Sequence, residues 1–98
     1  MSEPVFSAQA RVATEHASKY LQQLCKHFQH KIPASFDEKA GSISFPAGEA
    51  KLAAEPGALA IVVEARSAAD VETLKDVVAR HLVRFAFREE LEVAWAAA

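Results

Sequence analysis

The stretch Thr14–Lys31, TEHASKYLQQLCKHFQHK, decides the fold because it carries the clearest helical periodicity in the chain. Its apolar residues recur at intervals of three and four, which lines one face of an α-helix at about 3.6 residues per turn. These residues are Ala17, Tyr20, Leu21, Leu24 and Phe28. We therefore predict an amphipathic helix whose apolar face packs on a core. Thr14 is its predicted N-cap, and Lys31, two residues before Pro33, is its predicted end.

Patterns of period two on both sides of this helix predict β-strands. Apolar and polar residues alternate over residues 6–13, which predicts a first strand. Over residues 34–66, three turns that contain Gly or Pro separate four short strands, and turns this short imply an antiparallel meander. The fourth of these strands carries Leu59, Ile61 and Val63 on one face and is also apolar on the other. We therefore place it in the centre of the sheet.

A second helix is predicted after Ser67, because Ser67-Ala68-Ala69-Asp70 has the form of an N-terminal capping signal. Its apolar face would consist of Val71, Leu74, Val78, Leu82 and Phe85. Alternation of Leu91, Val93 and Trp95 with polar or small residues predicts a last strand. The predicted order is strand, helix, four strands, helix, strand. This is an α+β domain in which two helices cover one face of an antiparallel sheet.

Composition restricts the class of protein. The 98 residues suit a single domain spanning residues 1–98, with residues 1–5 as a flexible tail. The net charge of -2 and the absence of a run of Lys and Arg argue against nucleic-acid binding. A single cysteine suits a reducing compartment, and no apolar stretch reaches the roughly eighteen residues of a membrane span. The N-terminus lacks the pattern of a signal peptide, so we expect a cytoplasmic protein without membrane partners.

Cys25, His27 and His30 have a spacing that suggests a metal site. On a helix with about 100° per residue, Cys25 and His27 point about 160° apart and cannot share an ion, whereas His27 and His30 are about 60° apart. A structural zinc site needs four ligands, usually from two pairs, and the chain has no second pair. We therefore predict no metal and no cofactor, and we interpret Cys25 as an inert core thiol. The alternative is an enzyme that uses Cys25 or a His27/His30 metal pair.

His81 falls on the apolar face of the second helix, where an aliphatic residue was expected. We expect its imidazole either to bond to a strand carbonyl or to Tyr20, or to lie beneath a pocket between helix and sheet. Arg80, Arg84 and Arg88 recur every four residues. Such rows are usually solvated ion pairs, but arginine also suits oxyanions.

Basic residues on the two helices are therefore the candidate binding residues for a small anionic ligand. They are Lys26, His27 and His30 on the first helix, and His81, Arg84 and Arg88 on the second segment. Imidazole and guanidinium groups would hold an oxygen-rich ligand in the groove between the helices and the sheet.

Four segments of the chain resemble a known bacterial family. They are ARVAT with LCKHFQHK, ISFPAGEAKL, EPGALAIVVEA and VVARHLVRFAFREELEVAW. From about Ala10 to Trp95 they look like the family of domain of unknown function 2218 (DUF2218). The resemblance implies an α+β fold with a curved antiparallel sheet and two helices, similar to the TATA-binding-protein-like class. It implies nothing about DNA, because the basic saddle that DNA binding requires is missing.

The same resemblance suggests a place in iron metabolism. Similar domains are joined to siderophore-interacting reductases that use FAD, although this chain has no flavin or nicotinamide motif. The leading hypothesis is therefore a non-enzymatic accessory domain, homodimeric, that binds a small anionic ligand or a siderophore-interacting reductase. An enzyme of the kind described above and a purely structural dimerisation module are the alternatives.

Overall fold

The computed structural model describes residues 5–97, and its elements follow the order predicted from the sequence. They are β1 (Phe6–Ala13), α1 (Ala17–Gln29), β2 (Ala34–Phe36), β3 (Ala40–Phe45), β4 (Gly48–Glu55), β5 (Ala58–Ala65), α2 (Ala68–Phe85) and β6 (Ala96–Ala97). The strands form one antiparallel sheet in the order β2-β3-β4-β5-β1-β6. Residues 1–4 of the predicted tail lie outside the described residues.

Both helices cover the same face of the sheet, as predicted. Ala10 and Leu52 flank Ile61 in register, so these three side chains point to one face, and all three are buried. On this face α1 packs on β2, β3 and β4, while α2 packs on β1, β4 and β5. Strand β5 lies between β4 and β1, which confirms the prediction of a central strand with two apolar faces.

The apolar face of α1 is buried as its spacing predicts, but the start of the helix was predicted wrongly. Thr14 is not the N-cap: His16 occupies that position and makes no capping bond through its side chain. The Thr14 hydroxyl accepts the His16 backbone N–H at 3.1 Å, in the turn before the helix. It also donates to the Glu89 carboxylate at 3.1 Å, a partner 75 residues away in sequence. The helix ends at Gln29 rather than Lys31.

The second helix begins as predicted, since the Ser67 hydroxyl accepts the Asp70 backbone N–H at 3.1 Å. The last strand was predicted wrongly in position. Residues 91–95 have no strand pairing, although Leu91, Val93 and Trp95 pack against the core. Their alternation reflects this one-sided burial rather than a hydrogen-bonded ladder. Only the two residues of β6 pair with β1, opposite Ala8 and Gln9.

None of the helices within residues 5–97 is both long enough and apolar enough to span a lipid bilayer.

Candidate functional site

Two imidazoles meet where the C-terminal part of α1 lies beside α2. The ring centre of His27 is 5.1 Å from that of His81, and the two planes are inclined by 46°. Phenylalanine rings flank the pair, with Phe28 at 4.8 Å from His81 and Phe85 at 5.5 Å from His27. Helical spacing explains the arrangement, because His81 and Phe85 are four residues apart and so lie on the same face of α2.

The His81 ring is held in one tautomer by its own helix. Its Nδ1 lies 2.7 Å from the carbonyl oxygen of Val77, one turn earlier. Because a carbonyl can only accept, Nδ1 carries the proton and donates it, which leaves Nε2 as the free nitrogen of the neutral ring. The predicted partners, a strand carbonyl or Tyr20, were wrong. The Val77 carbonyl, one turn earlier, is near enough to accept the Nδ1 proton, so this nitrogen needs no long-range partner.

Basic groups surround His27, whose side chain is exposed. Partial desolvation lowers the pKa of His27 below 6.5, and the nearby His81, Lys31, His30 and Arg84 lower it further. We call His27, His30, Lys31, His81 and Arg84 the basic cluster. Each of the charged neighbours that shifts the pKa of His27 is basic. A carboxylate would shift it in the opposite direction, and among residues 5–97 none contributes to the shift of His27.

The remaining predicted site residues lie elsewhere on the surface. Lys26 lines a separate depression together with Gln22, Gln29 and Phe36. A helical wheel accounts for this, because Lys26 and His27 project about 100° apart.

The row of arginines on α2 divides into three different environments. Arg80 forms an ion pair with Asp76 at 3.0 Å, one turn away on the same helix. Arg84 is exposed and acts on His27. Arg88 lies beyond the end of α2, with its guanidinium carbon 5.4 Å from the ring centre of the exposed Phe87. Only Arg84 therefore belongs to the basic cluster.

Cys25 is fully buried beneath α1, as a core residue would be. Burial raises the pKa of its thiol to about 11, so the thiol stays protonated near neutral pH. Within the described part of the chain, no three residues of the metal-ligating types form a group that could hold an ion. His30 is at the C-terminal end of α1 and is exposed.

Sequence reasoning missed a second polar site at the other end of α1. The Tyr20 hydroxyl donates to the Glu89 carboxylate, which also accepts from Thr14. Both hydroxyl-bearing residues are buried. We call Thr14, Tyr20 and Glu89 the hydroxyl–carboxylate network. The hydrogen bond to Glu89 and burial raise the pKa of Tyr20, and the same bond lowers the pKa of Glu89.

The network left only one signal in the sequence. Tyr20 lies on the buried face of α1, and a buried phenol needs a hydrogen-bond partner. The partner is 69 residues away, so no local pattern identifies it.

Comparison with known proteins gives the chain a family. It is similar to a protein in a solved structure, "NMR structure of PA4090 from Pseudomonas aeruginosa", with 33% sequence identity and a TM-score of 0.79. The match covers 93% of this chain and 95% of that one. None of the curated proteins matches. The model of the family described as "Uncharacterized protein conserved in bacteria (DUF2218)" matches residues 9–96. The chain therefore belongs to the DUF2218 family of uncharacterised bacterial proteins.

Proposed function

We propose that this protein is a non-enzymatic binding domain that holds a small oxyanion at the basic cluster. One observation carries the proposal: imidazoles from two helices lie 5.1 Å apart, and the charged groups acting on His27 are all basic. A positive charge on His27 beside these groups is unfavourable in the unliganded protein. A bound anion would remove that repulsion, and the removal contributes to its affinity.

The cluster offers complementary donors for such a ligand. Arg84 is exposed, and a guanidinium can bond to two oxygens of a carboxylate, phosphate or sulfate at once. Protonated His27 would donate from a second side. Phe28 and Phe85 border the two imidazoles and provide an apolar edge, which favours an organic anion with an aromatic part over a purely inorganic one.

The connection to iron metabolism forms part of the proposal and comes from the resemblance described above. A ferric siderophore with phenolate or carboxylate oxygens has the anionic, oxygen-rich chemistry that the cluster would bind. The domain would then act in the cytoplasm as an accessory to a siderophore-interacting reductase. A homodimer would use the exposed apolar side chains Val83 and Phe87 near the end of α2. Size-exclusion chromatography with light scattering measures the molecular mass that decides this last point.

Arg84 and Arg80 provide the direct test of the binding site. Both are exposed on α2, but Arg84 acts on His27 whereas Arg80 is paired with Asp76. We expect Arg84→Gln to weaken the binding of sulfate, and of a ferric catecholate siderophore, about tenfold, which corresponds to about 1.4 kcal/mol. The matched control Arg80→Gln should leave both affinities unchanged. Equilibrium titration at constant ionic strength measures them.

Two results would overturn the proposal. One is the absence of saturable binding of either probe by the unaltered protein. The other is an equal loss of affinity in Arg84→Gln and Arg80→Gln, which would show that the probes respond only to total charge.

The enzyme alternative finds little support in the geometry of Cys25. Its thiol is buried and protonated at neutral pH, so it lacks both the access and the thiolate form that a nucleophile needs. A thiol reagent added to the native protein should therefore react only as fast as the chain opens. Rapid reaction of the folded protein at neutral pH would restore the alternative.

A further inference from the structure

The basic cluster contains two kinds of positive group, which respond differently to pH. Lys31 and Arg84 remain charged throughout the neutral range. His27 changes charge near it, because imidazole has an ordinary pKa of about 6.5. His30, at the end of α1, is a third imidazole on the same side. The strand residue that packs on this region, Phe45 against Phe28, brings no charge.

The two central imidazoles compete for protons. With ring centres 5.1 Å apart, a proton on one disfavours a proton on the other. The fixed charges of Lys31 and Arg84 oppose protonation of His27 in the same sense. In the absence of an anion, the folded protein therefore favours the neutral form of His27.

The hydrogen bond made by His81 determines which of its nitrogens can meet a ligand. Its Nδ1 donates to the Val77 carbonyl, so Nε2 is the nitrogen open to a ligand. His27 is exposed and reaches solvent directly. An anion beside the two rings would accept a hydrogen bond from protonated His27 and offset its repulsion by the neighbouring basic groups.

We infer that oxyanion binding at the basic cluster is coupled to the uptake of a proton by His27, which lies against His81, so that affinity rises as the pH falls through the histidine range. This inference rests on the proposed function and adds its regulation. By linkage, an anion that favours protonation must bind more tightly where protons are more abundant. Release of the ligand would correspondingly be favoured by a rise in pH.

Sulfate is the suitable probe, because its own charge does not change between about pH 5.5 and about pH 8, whereas an imidazole changes charge near this range. We expect the affinity of the intact protein for sulfate to be about tenfold higher at the lower pH. Substitution His27→Gln should remove most of this dependence. The matched control His16→Gln changes an imidazole at the opposite end of α1 and should retain it. The control also accounts for the general gain of positive charge on acidification.

A second readout follows the imidazoles themselves. In NMR titrations of the ring protons, saturating sulfate should raise the titration midpoint of His27 and leave that of His16 in place. An unchanged His27 midpoint, or equal sulfate affinity at the two pH values, would overturn the coupling. If Arg84→Gln still binds more weakly than Arg80→Gln in that case, the proposed function stands without it. If sulfate does not bind at either pH, both the coupling and the proposed function fail.

Discussion

The two ends of α1 present polar residues in opposite ways. At its N-terminal end, the hydroxyl–carboxylate network buries Thr14 and Tyr20 and gives each hydroxyl the same acceptor, Glu89. At its C-terminal end, the basic cluster exposes His27 and Arg84, and the charged groups that shift the pKa of His27 are all basic. The polar groups at the N-terminal end are buried and hydrogen-bonded to one another, whereas the basic side chains His27 and Arg84 at the C-terminal end are exposed to solvent.

This difference between the two ends of α1 suggests that their polar residues have different roles, stability at one end and binding at the other. Buried polar groups are tolerated when their hydrogen bonds are satisfied within the fold, as those of Tyr20 and Thr14 are. Exposed groups of like charge repel one another and do not favour folding. Such groups are candidates for binding a ligand of opposite charge. This contrast suits a stabilising role for the N-terminal network and the binding role proposed for the C-terminal cluster.

Both ends of α1 depend on the packing of the middle of this helix against the sheet. A substitution of Gly41 on β3 tests that packing. A Cβ at Gly41 would lie 2.7 Å from the Cys25 sulfur and 3.3 Å from a methyl carbon of Leu21. We expect Gly41→Ala to lower the free energy of unfolding by about 1–3 kcal/mol, because overpacking would lift α1 from the sheet. Urea denaturation measures the loss.

Cys25→Ala provides the control for that prediction. Since the sulfur is the nearest obstacle, the alanine at position 41 should cost clearly less in the double variant Gly41→Ala/Cys25→Ala than in the single one. Strict additivity of the two substitutions would show that α1 is not seated on β3 in this way.

Tyr20→Phe examines the N-terminal end of α1. It removes the hydroxyl that bonds to Glu89 while keeping the ring, so we expect a loss of about 1–2 kcal/mol in the free energy of unfolding. Sulfate affinity should stay unchanged, because the basic cluster is at the other end of the helix. A variant of normal stability, or one with weakened sulfate binding, would remove the distinction between the two ends.

The two ends should also lose stability in different pH windows. The pKa of His27 is lowered from 6.5 on folding, so its contribution is complete above 6.5 and is lost as the pH falls towards the lowered value. The pKa of Glu89 is lowered from 4.5, so its contribution is lost only below about that pH.

Denaturation curves recorded across the acid range separate these effects, which are the smallest predicted here. In His27→Gln, the free energy of unfolding should no longer depend on pH in the window of His27. In Tyr20→Phe, its dependence on pH in the lower window of Glu89 should be smaller. Loss of both windows in either single variant would contradict the separation.

Sequence patterns predicted the framework because it depends on local periodicity. The spacing of Tyr20, Leu21 and Leu24 identified the buried face of α1, and the turn residues identified the antiparallel meander. The role of Thr14 was not predictable, since its hydroxyl accepts from a local amide and also donates to a carboxylate 75 residues away, which no local pattern reveals. The sequence also did not show which of the six candidate basic residues lie on the same surface. The distance between His27 and His81 depends on how two helices separated by four strands pack together.

A map of sulfate-induced changes in the NMR spectrum of the intact protein tests the central claim most directly. We expect the shifts on adding sulfate to concentrate at His27, His81 and Arg84 and to saturate together. We also expect Thr14 and Tyr20 to remain unchanged, because their partner is already in the fold. Shifts centred on Tyr20, or spread evenly over all exposed basic residues, would contradict that claim.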